Sequence, residues 1–234
     1  MEKYKNAHKW LIIPFVIAIL GFMRSYYLKL SEASWGHHIH AMSATFWYLM
    51  VIIQPYLATH GNIKKHKRYG VLAMVLAGAV VASALLMIPG NIESAAREDL
   101  PPMVPPSFFY GVSLLDMLTI AGFVVSVIMS IIKVKNIDDH AMWMISTVFW
   151  AIMPAFARLA LIPAFMIGGE FTSAFVIAVI NPIVFIVIGI VVYKIKRFHP
   201  ALVVVAIAHI LFFFVKQIGE NELWISIATA VFKP

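Results

Sequence analysis

The stretch FFYGVSLLDMLTIAGFVVSVIMSII, residues 108–132, decides the fold class of this chain. Asp116 is its only charged side chain. The stretch exceeds the roughly 20 apolar residues that a helix needs to cross a bilayer, and it therefore predicts a transmembrane helix. The whole chain is 62% hydrophobic and 12% charged, a composition that excludes a water-soluble domain of 234 residues.

Six further segments share this composition. Together they predict an all-α fold, a polytopic membrane helical bundle with seven transmembrane helices in a single domain, 1–234. The predicted spans are about 10–30, 36–58, 70–89, 108–132, 141–167, 173–194 and 200–217. The stretch 223–232 is too short to cross and predicts an interfacial segment anchored by Trp224. The chain has no cysteine, which excludes disulfides and thiolate metal sites.

Basic residues are concentrated on one side of the predicted spans. Most of the 18 Lys and Arg residues lie in the segments 3–9, 64–68, 133–135 and 194–197. Basic loops remain cytoplasmic, so we expect a cytoplasmic N-terminus and an external C-terminus. The expected location is the bacterial inner membrane. The basic loops beside the spans account for the net charge of +7. The expected partner is therefore the lipid bilayer, and a nucleic-acid partner is not expected.

Four ionisable side chains lie inside the predicted spans, namely His40, Asp116, Arg158 and His209. Each costs several kcal/mol in hydrocarbon, about 2.5 to 3.5 kcal/mol for a charged group on insertion scales. Threading the spans through a bilayer places the first three in the outer half and His209 near the middle. This arrangement predicts a polar pocket open to the outer face.

The pocket has two interpretations. In the functional one, His37, His40, Asp116 and His209 are candidate ligands of a single divalent metal ion, and Arg158 holds an anionic group such as a haem propionate. In the structural one, Asp116 and Arg158 form an ion pair and the histidines bond to the backbone. The sequence leaves both open.

A second group of histidines is predicted at the cytoplasmic face. His66 precedes the third span and His140 opens the fifth, and both spans start from the inside. The two imidazoles therefore share a depth on different helices, as a bis-histidine haem b requires. His66, His140, His40 and Arg158 are thus the candidate cofactor-binding residues. The alternative is interfacial, with His66 in a basic loop and His140 capping its helix.

These residues resemble a family of predicted membrane proteins, catalogued as domain of unknown function 2306. The resemblance covers about 40–160 and is carried by His40, Gln54, His66-Lys67-Arg68-Tyr69-Gly70, His140-Ala141-Met142-Trp143-Met144 and Arg158. The sequence departs from the family pattern at Lys67, which replaces arginine, and at Ala141 and Ser146, which replace basic residues. The family implies no activity.

The chain is also similar, more weakly, to the cytochrome b561 class. In that class, histidines on alternate helices form haem pairs at the two membrane faces. His66 and His140 match the inner pair, and His40 matches half of the outer pair. The fourth span has Asp116 and no histidine. The resemblance therefore implies one haem b at the inner face, or a different metal at the outer site.

Three functions follow as hypotheses. The first is a haem-binding or metal-binding redox protein whose outer pocket takes a quinone or small molecule. The second is a zinc-dependent membrane hydrolase, since the predicted topology resembles the adiponectin-receptor and ceramidase superfamily. However, His199 and His209 do not form that family's H-x-x-x-H element. The third is a transporter or assembly subunit without chemistry. Catalytic residues remain unassigned, and a membrane protein partner or homo-oligomer stays open.

Overall fold

The computed structural model describes residues 2–167 and 172–232, and this part of the chain is helical and contains no strand. The all-α prediction is therefore confirmed. The α-helices of the described ranges are α1 Ala7–Met23, α2 Trp35–Thr59, α3 Ile63–Leu85, α4 Ile88–Ala95, α5 Pro106–Ile132, α6 Ile137–Ile167, α7 Ser173–Ile180, α8 Pro182–Ile195, α9 Pro200–Ile210, α10 Val215–Gly219 and α11 Glu222–Phe232.

Six helical segments in the described residues are long and apolar enough to cross a membrane. They are Trp35–Thr59, Ile63–Ala95, Pro106–Ile132, Ile137–Ile162, Ser173–Ile195 and Pro200–Gly219. Many large apolar side chains on these segments are exposed, for example Val75 at 70% and Ile186 at 61%. Exposed apolar surface of this kind is stable in lipid and costly in water. The chain is therefore an integral membrane protein.

One of the seven predicted spans, 10–30, is not confirmed. The helix in this region, α1, has 17 residues and ends at Met23. A 3₁₀ stretch, Tyr27–Glu32, follows. The aromatic and aliphatic side chains after Arg24 extended the apolar stretch in the sequence, but the backbone leaves the α-helix there. The segment 223–232 is short as predicted, and Trp224 within it donates from Nε1 to the carbonyl of Tyr110 at 2.7 Å.

The later spans are interrupted. α7 ends at Ile180, and α8 begins at Pro182, which has no N–H to continue the hydrogen-bond ladder of the preceding helix. The segment after α9 passes into a 3₁₀ stretch, Leu211–Phe214, before α10. These breaks free backbone polar groups within the membrane segments, and buried side chains must satisfy them.

The chain divides into two compact units. Unit 1 comprises 1–84 and 123–155, and unit 2 comprises 85–122 and 156–234. In unit 1, α1 packs so closely on α6 that a Cβ at Gly21 would lie 2.5 Å from the carbonyl oxygen of Ala155. Such backbone contact through small residues is typical of helix packing in membranes. The prediction of a single domain stays a prediction.

Candidate functional site

The connection between α2 and α3 places His66. Gly61 has φ +78°, a left-handed conformation that ends α2. The N–H of Asn62 then bonds the carbonyl of Leu57 at 2.9 Å, which closes the turn. Since α3 starts at Ile63, His66 lies in its first turn. The N–H of His66 donates to the carbonyl of Asn62 at 2.9 Å.

The connection between α5 and α6 places His140. The side-chain oxygen of Asn136 accepts from the N–H groups of Asp138 at 3.1 Å and Asp139 at 3.2 Å. This cap satisfies two backbone donors that have no partner within the helix. His140 follows in the same first turn, and its N–H donates to the carbonyl of Asn136 at 2.9 Å.

Asn136→Ala should therefore lower the free energy of unfolding by about 1 kcal/mol, because the first turn of α6 loses its cap. Asn136→Ser is the matched control, since serine offers an equivalent acceptor and should retain most of the stability. Unfolding in mixed micelles of dodecyl maltoside and SDS gives both values. Equal losses for the two variants would contradict the capping role.

The two histidine rings meet in unit 1. The centroids of His66 and His140 lie 6.2 Å apart, with ring planes at 89°. Both side chains are half-buried. The structure thus brings together, across two different helices, the pair that the sequence placed at one depth. Lys67 is close enough to act electrostatically on His66.

Backbone carbonyls fix the orientation of both rings. Nδ1 of His140 donates to the carbonyl of Ser130 at 2.8 Å, and Nδ1 of His66 donates to the carbonyl of Gln54 at 3.3 Å. A carbonyl oxygen only accepts, so these contacts put the proton on Nδ1 and leave a lone pair on Nε2. The arrangement is the one that metal-binding histidines use, with one ring nitrogen anchored and the other directed at the metal.

The side chain of Gln54 is buried against the first turn of α3. With its nitrogen turned to α3, its amide donates to the carbonyl of His66 at 3.2 Å and accepts from the N–H of Gly70 at 2.9 Å. In that orientation the amide nitrogen also donates to Nδ1 of His66 at 2.5 Å, and Nδ1 then carries no proton. In the opposite orientation the amide oxygen accepts from Nδ1. Only this second orientation keeps the proton on Nδ1, so it is the one that leaves a lone pair on Nε2 of His66 for a ligand.

His40 belongs to a hydroxyl cluster in unit 1. Its Nδ1 lies 3.2 Å from Oγ of Ser83, and the hydroxyls of Ser43 and Ser83 are 2.9 Å apart. Ser43 also donates to the carbonyl of His40 at 3.0 Å. Sequence reasoning missed both serines. His37 lies at the start of α2, where Nδ1 is 2.7 Å from Oγ of Ser34, and it is exposed.

The remaining predicted site residues lie in unit 2. Oδ2 of Asp116 accepts from Nδ2 of Asn91 at 3.1 Å. Asp116 and Arg158 are close enough to act on each other electrostatically, and the ion pair that the sequence predicted for them stays a prediction. The sequence did not predict that Asn91 lies beside Asp116 or that it donates to the carboxylate.

His209 is fully buried and forms a reciprocal pair with Asn181. Asn181 donates from Nδ2 to the carbonyl of His209 at 2.6 Å, and Nδ1 of His209 donates to Oδ1 of Asn181 at 3.0 Å. The ring of His209 stacks on Phe212 with centroids 5.0 Å apart. The pair joins the break after α7 to the end of α9 within unit 2.

Among the residues that the structure describes, no group of three or more His, Cys, Asp or Glu side chains is placed to hold a metal ion. His37 and His40 belong to unit 1, and Asp116 and His209 belong to unit 2. The four-residue metal site therefore stays a prediction. The best-defined candidate site is the pair of His66 and His140. No family model matches this chain, and neither the curated proteins nor the solved structures include a significant match to it.

Proposed function

We propose that this chain is a membrane redox protein that binds haem b between His66 and His140. The geometry of the two imidazoles carries the proposal. Each Nδ1 forms a hydrogen bond with a backbone carbonyl, and the ring centroids lie 6.2 Å apart. Two imidazoles that bind one metal ion from opposite sides, each at about 2 Å, have ring centroids about 6 Å apart. The donor set and its spacing therefore fit a haem iron.

The surroundings of the pair also support the proposal. The side chains of Lys64, Lys65 and Arg68 are exposed in the first turns of α3 beside His66. These cations are available to the propionates of a haem, and Arg158 is no longer needed for that role. Haem b held by His66 and His140 would supply one-electron transfer. The residues of this chain hold and orient the ligands, with Asn136 and Gln54 fixing the turns that carry them.

In the proposed topology the basic side is cytoplasmic, so the haem lies at the cytoplasmic face of a seven-span protein of the bacterial inner membrane. In this arrangement α1 is the additional span, and a tilt of the other helices or a thinner bilayer accommodates its 17 residues. An electron donor or acceptor, such as a quinone or a partner membrane protein, then approaches from the membrane. The resemblances to domain of unknown function 2306 and to cytochrome b561 are part of this proposal.

The test is an absorption spectrum of the full chain, purified in dodecyl maltoside from haem-supplemented cells. We expect a Soret band and, after reduction, a sharp α-band of low-spin haem. His66→Ala and His140→Ala should each lower the haem content by about tenfold or more, because one imidazole cannot hold the six-coordinate state.

His60→Ala is the matched control. His60 lies in the same connection as His66, but it is exposed and its Nδ1 donates to the carbonyl of Tyr56 in its own helix at 2.9 Å. This variant should retain the full spectrum. A colourless wild-type protein would rule out haem. Metal analysis would then distinguish the alternative, a single divalent ion held by the same pair, which both histidine variants would lose and His60→Ala would keep.

A further inference from the structure

The side chain of Gln54 contacts both the ring of His66 and the backbone of α3. Gln54 lies in α2 with 7% of its surface exposed, and its amide is placed between the carbonyl of His66 and the N–H of Gly70. The two orientations of this amide give the neighbouring groups different partners. They also place the proton of the His66 ring on different nitrogens, one of which the proposed haem site requires as a ligand.

The orientation with the amide nitrogen toward His66 forms more hydrogen bonds. The nitrogen donates to the carbonyl of His66 at 3.2 Å and to Nδ1 at 2.5 Å, and the oxygen accepts from the N–H of Gly70 at 2.9 Å. In the opposite orientation the oxygen faces the carbonyl of His66, and the nitrogen faces the N–H of Gly70. Buried polar groups without a partner are costly. We therefore expect the first orientation in the chain without a ligand.

That orientation favours the tautomer of His66 that cannot bind a metal. Because Nδ1 accepts from the amide, a neutral ring carries its proton on Nε2. The backbone carbonyl of Gln54 favours the opposite tautomer, but it lies 3.3 Å from Nδ1, whereas the amide nitrogen lies at 2.5 Å. His140 has no such competition, since its Nδ1 donates to the carbonyl of Ser130 at 2.8 Å. His140 is thus ready to bind through Nε2, and His66 is not.

We propose that Gln54 is a positioning residue that controls the tautomer of His66 and, through it, the affinity for a ligand at Nε2. The inference rests on the proposed function, because the ligand is the haem of that site. Binding requires the proton to move from Nε2 to Nδ1, and water can exchange it because the ring of His66 is half-buried. The amide must turn at the same time, so that its oxygen accepts from Nδ1. The backbone bonds lost in this turn oppose binding.

The tautomer is measured on the full chain without haem. The test is ¹⁵N NMR of histidine-labelled protein in dodecyl maltoside and alkaline buffer, with the signals of His66 identified by their loss in His66→Ala. In wild type we expect the proton on Nε2. Gln54→Glu should move it to Nδ1, because a carboxylate only accepts. Gln54→Leu should do the same, because the backbone carbonyl of residue 54 remains as the acceptor.

Titration of the same samples with haem measures the consequence for affinity. Both variants should bind haem about tenfold more tightly than wild type, since groups that orient a metal-binding histidine change the affinity by about tenfold or more. A glutamine that only stabilises the fold would give weaker binding in both variants. Gln217→Glu is the matched control, because it makes the same change at an exposed position of unit 2. It should alter neither the tautomer nor the affinity.

Three results would overturn the inference. These are a wild-type His66 that already carries its proton on Nδ1, Gln54 variants that keep the wild-type tautomer, and Gln54 variants that bind haem less tightly than wild type. If Gln54→Glu does not fold, Gln54→Leu decides, because it buries no charge. In a chain that binds no haem, the proposed function fails while the tautomers alone decide the role of Gln54, so the two failures are distinguishable.

Discussion

Gly219→Ala is expected to destabilise unit 2 by about 3 kcal/mol or more, at the upper end of the cost of overpacking. Gly219 ends α10, and its Cα lies directly against the first turn of α5. A Cβ added there would overlap the carbonyl oxygen of Ser107 and approach the carbonyl carbon of Ser107 to 2.6 Å and the nitrogen of Gly111 to 2.9 Å. All three atoms belong to the backbone, so no side chain can rotate away.

The same helix crossing contains a second glycine. A Cβ at Gly111 would overlap the carbonyl oxygen of Val215 and lie 2.9 Å from its Cγ2. Ser107 and Gly111 on α5 thus face Val215 and Gly219 on α10, one turn apart on each helix. Small residues at this spacing let two membrane helices approach backbone to backbone, where dispersion contacts replace the absent hydrophobic force.

Gly189→Ala is the control for the intrinsic effect of the substitution. Gly189 is also helical and belongs to unit 2, but a Cβ there meets no atom within 4 Å. It should stabilise by about 0.5 to 1 kcal/mol, since alanine restricts the unfolded chain. Unfolding by SDS in mixed micelles measures both. If Gly219→Ala behaved like Gly189→Ala, the close approach of α5 and α10 would be wrong.

Hydropathy was sufficient to locate the spans because a membrane helix must satisfy its backbone internally and cover itself with apolar side chains. The predicted span 36–58 corresponds to Trp35–Thr59, and 108–132 corresponds to Pro106–Ile132. The span 10–30 is not confirmed at these bounds, because α1 ends at Met23 and the tyrosines after Arg24 extend a hydropathy stretch without continuing the helix. Backbone contacts such as that of Gly21 leave no hydropathy signal.

The histidine pair was predictable because a common depth follows from topology alone. His66 and His140 both begin helices that start from the same side, and the structure places their rings 6.2 Å apart. The groups that orient the two rings were not predictable. Ser130 contributes a backbone carbonyl, which any residue carries, and the contact of Gln54 with His66 depends on how α2 and α3 pack.

The amides of unit 2 were missed for a different reason. Asn181 is uncharged and was not among the ionisable side chains predicted inside the spans. Asn91 lies beyond the predicted span 70–89. Each nevertheless bonds a polar side chain inside the membrane segments. The signal that could have revealed Asn181 is its neighbour Pro182. A proline in a long apolar stretch interrupts the helix, and an adjacent amide is suited to satisfy the freed backbone groups.

Asn181→Ala should lower the free energy of unfolding by about 3 kcal/mol. Asn181 and His209 both have 0% exposure, and the variant leaves the carbonyl and Nδ1–H of His209 without their partner amide. Each buried group that loses its hydrogen bond costs about 1 to 3 kcal/mol. Since water does not reach this position, solvent cannot replace the amide.

Two further variants test whether the stability lost in Asn181→Ala comes from the pair of Asn181 and His209. Replacing Asn181 by Leu and His209 by Phe together should cost less than the sum of the single changes, by about 1 kcal/mol or more, because partners in contact are coupled. Asn221→Ala removes an exposed cap, the bond from the N–H of Trp224 to Oδ1 at 2.9 Å, and should cost only about 1 kcal/mol. Additive losses at Asn181 and His209, or a loss at Asn181 no larger than at Asn221, would show that the amide does not hold the interrupted helices together.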